Sequence, residues 1–116
     1  MNGVDRLANF AGKYIVVAVK MPPPMKPFFY NGKMTSLDSE SIVMDDIKGE
    51  IIIPIKDILP GFPRSMSVFE MSKLTVKFSN ERYSIEDELK KQPLNKKLIT
   101  QYERVKKRLQ ELLFGA

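Results

Sequence analysis

Residues 30–46 read YNGKMTSLDSESIVMDD, an order that puts a tight local constraint on the backbone. A glycine falls inside a strand-like run, a Ser-Leu-Asp corner follows, and a second apolar run ends in two acids. Glycine within a strand contributes no packing and marks a sharp bend, a bulge or a close backbone approach. The segment predicts a bent hairpin: a strand from Phe28 to about Ser36, a corner at Asp38-Ser39, and a strand over SIVMDD. Asp38 can hold the corner by accepting from nearby backbone amides, as Asx-turn residues do.

The flanking sequence extends this pattern on both sides. Val4, Leu7, Ala8 and Ala11 recur at helical spacing before Gly12, a good residue for a helix end, so a short N-terminal helix is expected. The β-branched run after it predicts a strand from about Tyr14 to Lys20. PPPMKP then forbids helix and central strand alike, because proline lacks the N–H donor and fixes φ. IKGE reads as a turn on Gly49, and EIIIPIKDI as a fourth strand that Pro54 bends or places at an edge. LPGFPRS interrupts again. In MSVFEMSKLTVKF, Leu74, Val76 and Phe78 alternate with Thr75 and Lys77, so the last strand is expected there. One helix and about five short, curved strands predict a mainly β fold closed into a small SH3-like barrel, since closure removes exposed strand edges.

The remainder reads as a helical extension over residues 84–116, appended to a barrel domain over 1–80. SIEDELKKQP has Ser84 as N-cap and ends at Pro93. NKKLITQYERVKKRLQELLFG starts at Asn95 and stops at Gly115. Within it Leu98, Tyr102, Val105, Leu109 and Leu112 form a seven-residue repeat, flanked by Ile99 and Leu113. An apolar stripe of this length must dock, either within the chain or as an interface helix on a partner or second copy.

Composition narrows the chemistry. The 116 residues contain no cysteine and no histidine, which excludes disulfides, thiolate metal sites and any triad built on imidazole. No phosphate-cradling glycine loop is present. The sequence therefore predicts no enzyme, no cofactor and no metal, and the absence of a long apolar run predicts a soluble, cytoplasmic protein without membrane contact. Solvated loop acids account for Asp38, Glu40, Asp45 and Asp46, since nothing converges them on a cation. Phe28, Phe29 and Tyr30 could stack bases or fill a core, and neighbours on a strand face opposite sides. Charge is uneven: residues 1–89 hold 11 basic and 12 acidic residues, whereas residues 90–116 hold 8 basic and 2 acidic. Attraction for phosphate is expected to concentrate in that last segment.

VDRLANFAGKYIVVAVK, FFYNGKMTSLDSESIVMDD and GEIIIPIKDI together resemble the Sm-like (Sm/LSm) family, in which a short helix precedes five curved strands. Gly32, Leu37, Asp38, Ile42, Met44, Asp45 and Asp46 fall on matching positions. The pattern is also similar to the Sm-like C-terminal domain of bacterial ribosome-maturation factors. The resemblance spans about residues 4 to 58 and implies a ring-forming, RNA-associated protein of ribonucleoprotein or RNA-chaperone type. Where uridine-binding members carry an asparagine after the corner aspartate, Ser41 is the nearest equivalent. Where they carry an arginine-glycine or lysine-glycine pair, this chain has only Arg64, with no glycine after it. The RNA-binding candidates are accordingly Asp38, Ser41 and Arg64 on the barrel, with Lys96, Lys97, Arg104 and Lys107 on the tail. A second expectation is a non-catalytic protein-interaction adaptor that uses the barrel and the heptad-patterned helix.

Overall fold

The computed structural model describes residues 3–46 and 49–115, with side chains from Arg6 onward except Asp46. The expected turn at Ile47 and Lys48, and the side chain of Val4, lie outside the described residues. Two compact units divide the chain, residues 1–67 and residues 68–116.

The first unit follows the predicted order. Helix α1 (Gly3–Ala8) leads through Gly12, whose φ of 78° suits only glycine, into strand β1 (Tyr14–Val19). Strands β2 (Phe28–Leu37), β3 (Ser41–Asp46) and β4 (Gly49–Pro54) follow. A single 3-10 turn at Ile55–Asp57 comes next, then a two-residue strand β5 (Arg64–Ser65). All pairings are antiparallel, in the order β4-β3-β2-β1-β5. Strand β2 serves two neighbours in succession: Phe28 to Lys33 pair with β1, and Met34 to Leu37 with β3 across a register shift. A Cβ on Gly32 would sit 3.1 Å from the carbonyl oxygen of Asp45, so this glycine permits a close backbone approach. Leu7, Ile15, Val17, Met34, Ile42, Met44 and Ile53 form one fully buried cluster, joined by half-buried Phe10, Tyr30 and Leu37.

Two expectations fail after Met66. The MSVFEMSKLTVKF segment is helix, not strand: α2 runs from Val68 to Lys91 and includes Ser84, which is an interior residue rather than an N-cap. Leu74 and Phe78 satisfy both periods, being two strand steps or one helical turn apart. Val76 separates the two readings, because it is 60% exposed while Leu74 and Phe78 are buried. With that material in a helix, only Arg64 and Ser65 remain for the fifth strand. The sheet is open, with β4 and β5 at its edges, and is not closed as a barrel. Helical residues also outnumber strand residues, so the fold is mixed rather than mainly β.

The second unit is a helical hairpin. Helix α3 (Lys96–Phe114) begins at Asn95, whose side chain accepts the Leu98 N–H at 3.2 Å, and ends at Gly115 in the left-handed region. Both caps are those expected from the sequence. α2 and α3 pack together, burying Leu74, Phe78 and Ile85 of one and Val105 and Leu109 of the other.

Candidate functional site

The candidates on the sheet unit do not converge. Asp38 Oδ1 accepts the backbone N–H groups of Glu40 at 2.7 Å and of Ser41 at 2.8 Å, while the Asp38 N–H donates to the Ser41 carbonyl at 2.9 Å. Those amides, Glu40 first, hold the Asp38 carboxyl below the usual aspartate range. Asp38 and Ser41 thus close the β2–β3 turn on each other. Arg64 lies at the opposite edge of the sheet, paired in register with Val16, and β1 and β2 stand between it and β3. Its guanidinium lies 6.0 Å from the centre of the Phe62 ring.

The aromatic run divides by strand parity. Tyr30 turns toward the core, with its ring 4.6 Å from that of Phe28, and Phe29 on the other face meets Phe62 edge-on at 5.8 Å. Phe28 and Phe29 remain 50% and 54% exposed, close to Met25 in sequence at the end of the proline-rich connection, itself 60% exposed.

The tail candidates lie on α3. Lys96 and Lys97 occupy its first turn and are exposed, Arg104 is half-buried, and Lys107 is exposed. The first turn contains no acid and the last turn no base. This charge order opposes the helix dipole, which favours acids at the N-terminus. The heptad residues Leu98, Tyr102, Val105, Leu109 and Leu112 are buried or half-buried, and Tyr102 donates to Glu86 of α2 at 2.8 Å. That carboxylate also accepts from Arg82 Nε at 3.1 Å. The Tyr102 hydroxyl first, then Arg82, holds Glu86 below the usual glutamate range.

Sequence reasoning missed the groove that these contacts border. It has a volume of about 420 Å³, open to solvent, between Arg82 on α2 and the C-terminal half of α3. Lys106 and Lys107 line it together with Glu103 and Gln110, and Leu109, Leu113 and Phe114 supply its apolar surface. Leu113 and Phe114 are 59% and 80% exposed. Lys106 Nζ lies 5.3 Å from the Tyr102 ring centre, and the Arg82 guanidinium 6.0 Å from it. The signal available was the flanking position of Leu113 beside the heptad stripe; Arg82 lay between the expected strand and the helix expected from Ser84.

Among the described residues, no cluster of three or more acidic side chains is placed to hold a metal ion, and no helix is long and apolar enough to cross a membrane. Every buried side-chain nitrogen or oxygen among them has a hydrogen-bond partner. The arrangement offers cationic and apolar surfaces for binding. Comparison with protein-family models, curated proteins and solved structures finds no match to the chain.

Proposed function

We propose that the chain is a non-catalytic, RNA-associated protein of Sm-like type whose RNA affinity is carried by α3. The observation behind this reading is the placement of Lys96 and Lys97. Two exposed lysines in the first turn oppose the helix dipole, each at a cost of about 0.3–1 kcal/mol, and no carboxylate in that turn offsets them. A local rule broken without structural gain points to function. Phosphate contacts at these lysines, with Lys107 and Arg104 further along, would give salt-sensitive and weakly sequence-selective affinity. Asp38 and Ser41 serve the corner turn, so the reading assigns them support of the hairpin rather than base recognition. Self-association through the β4 and β5 edges belongs to the same proposal.

The test is anisotropy of labelled uridine-rich and mixed-sequence RNA against the full chain and the Lys96→Glu/Lys97→Glu variant. Binding of both RNAs is expected, with a salt slope of roughly 0.7 per phosphate contact. The variant should lose that slope in proportion. Equal binding by the variant, or none by the parent chain, would refute the assignment.

One observation favours the adaptor reading: Met25, Phe28 and Phe29 are all exposed at or beside the proline-rich segment, Phe28 and Phe29 on opposite faces of β2. Co-purification of a protein partner lost on Phe28→Ser/Phe29→Ser, with RNA binding absent, would select it.

A further inference from the structure

The connection between α2 and α3 is closed on itself. The Gln92 N–H donates to the Glu88 carbonyl at 2.9 Å and the Asn95 N–H to the Gln92 carbonyl at 3.1 Å, while the Asn95 side-chain amide donates to Gln92 Oε1 at 2.9 Å. Asn95 Oδ1 also caps α3 through the Leu98 N–H. The polar side chains of the turn are thus used internally, and the tip turns four lysines and a leucine to solvent. Lys90 and Lys91 close α2, Lys96 and Lys97 open α3, and all four are exposed. Leu94 stands between the two pairs at 88% exposure. Residues 89–102 contain no acid, and Asp87 and Glu88 lie about one turn back along α2. The contact of Asp87 with Lys90 at 3.7 Å joins two exposed side chains and holds them weakly.

We infer that this tip binds the backbone of double-stranded RNA, with one lysine pair on each of the two phosphate rows that border the minor groove. The inference rests on the RNA reading above; it names the form of the RNA and adds Lys90 and Lys91 to the contacts. Three features select a duplex over a single strand. Proteins that hold single strands stack the bases on aromatic rings, and residues 84–101 contain none. Tyr83 lies about two turns behind Lys90, and Tyr102 is engaged, its hydroxyl with Glu86 and its ring with Lys106. The axes of two packed helices stand about 8–10 Å apart, so the lysine pairs, each on long stems, reach two rows of phosphates rather than one. The A-form minor groove is wide and shallow and lined by riboses, which leaves room for Leu94 between the rows. Apolar side chains enter minor grooves in this way, and a lone phosphate strand gives the leucine no such seat.

The experiment measures binding of the full chain to a labelled mixed-sequence RNA duplex of about 20 base pairs and to each of its strands alone, across a salt series. The duplex should bind about tenfold tighter than either strand, with a salt slope of roughly 3 to 4 for four phosphate contacts. Lys90→Gln/Lys91→Gln should lower that slope by about half, as should Lys96→Gln/Lys97→Gln. Lys90→Arg/Lys91→Arg should keep it. Leu94→Ser should weaken the duplex about threefold and leave the slope unchanged. All these side chains are exposed, so circular dichroism should show an unchanged fold. Amide shifts on adding duplex should centre on residues 90–97. Either strand binding as tightly as the duplex would overturn the inference and leave the RNA reading standing. A slope unmoved by Lys90→Gln/Lys91→Gln would likewise overturn it and leave Lys96 and Lys97 as the contacts. Failure of all three RNAs to bind would remove the reading beneath it as well.

Discussion

The two units answer the same physical problem in different ways. In residues 1–67 seven apolar side chains are closed off completely, and the polar corner at Asp38 is satisfied by its own backbone. In the hairpin the core is a single seam, and charge and apolar surface are left side by side on its flank. The sheet unit closes its core and its corner although Met25, Phe28 and Phe29 stay exposed, whereas the hairpin places two lysines in the first turn of α3 against the helix dipole. The difference teaches where to look for binding: in the region where local rules are broken.

The contrast breaks most visibly through the sheet core. Ile42 is fully buried within the cluster, so Ile42→Ala removes three carbons and leaves a cavity, at about 2–5 kcal/mol. Amide exchange in β1 to β4 should accelerate far more than in α2 and α3. Equal acceleration in both regions would mean that they unfold as one cooperative body, and the comparison would fail.

Gly32→Ala probes the same unit more gently. The new Cβ would press on the Asp45 carbonyl at 3.1 Å, at a cost of about 1–3 kcal/mol for overpacking. Reduced freedom of the unfolded chain returns about 0.4–1 kcal/mol. The net loss should be about 1 kcal/mol in denaturant unfolding. A stabilised variant would show that β3 yields at this point and that the glycine answers to something other than close approach.

How much of this was legible beforehand follows the same division. β1 to β4, the Asp38 corner and the caps of α3 were readable because each carries its own local chemistry: β-branched runs, an Asx turn, Asn95 and Gly115. α2 was not, because Leu74 to Phe78 fits two periods and only tertiary packing decides that Val76 faces solvent. Arg82 fell between the expected strand, which ended at Phe78, and the helix expected from Ser84, so its place on α2 opposite α3 was not legible. Tyr102 could be read as a stripe residue, but its bond to Glu86 required knowing what packs opposite. Asp38 was read both as an Asx corner and, with Ser41, through the resemblance as an RNA-binding candidate; the structure adds that the two close the same turn.

A smaller effect, opposite in sign, sharpens the comparison from the hairpin side. Lys97→Glu puts an acid where the helix dipole favours one and should stabilise α3 by about 0.3–1 kcal/mol. If the lysine is retained for RNA, the more stable variant will bind RNA more weakly. A gain in stability with unchanged RNA binding would leave the lysine without a purpose in this account.

The smallest effect separates the two units by the way each holds its carboxylate. Asp38 and Glu86 both have lowered pKa values in the folded chain, so each contributes stability that is present above its unfolded pKa. That contribution is lost as pH falls through the lowered, folded value, at the acid end of the carboxylate range. Both groups meet solvent, so the contribution of each is small. The causes differ, however. Asp38 is held by backbone amides, which carry no net charge, while Glu86 depends first on the Tyr102 hydroxyl and then on Arg82. At about 1 M salt the screening length falls to about 3 Å, which weakens the Arg82 attraction and leaves short neutral hydrogen bonds in place. Carboxyl NMR titration at low and high salt should therefore move the Glu86 midpoint part of the way back toward an ordinary glutamate. The Asp38 midpoint should hardly move. Parallel movement would mean that the Asp38 turn also leans on long-range charge, and the sheet unit would lose its claim to closing its polar groups locally.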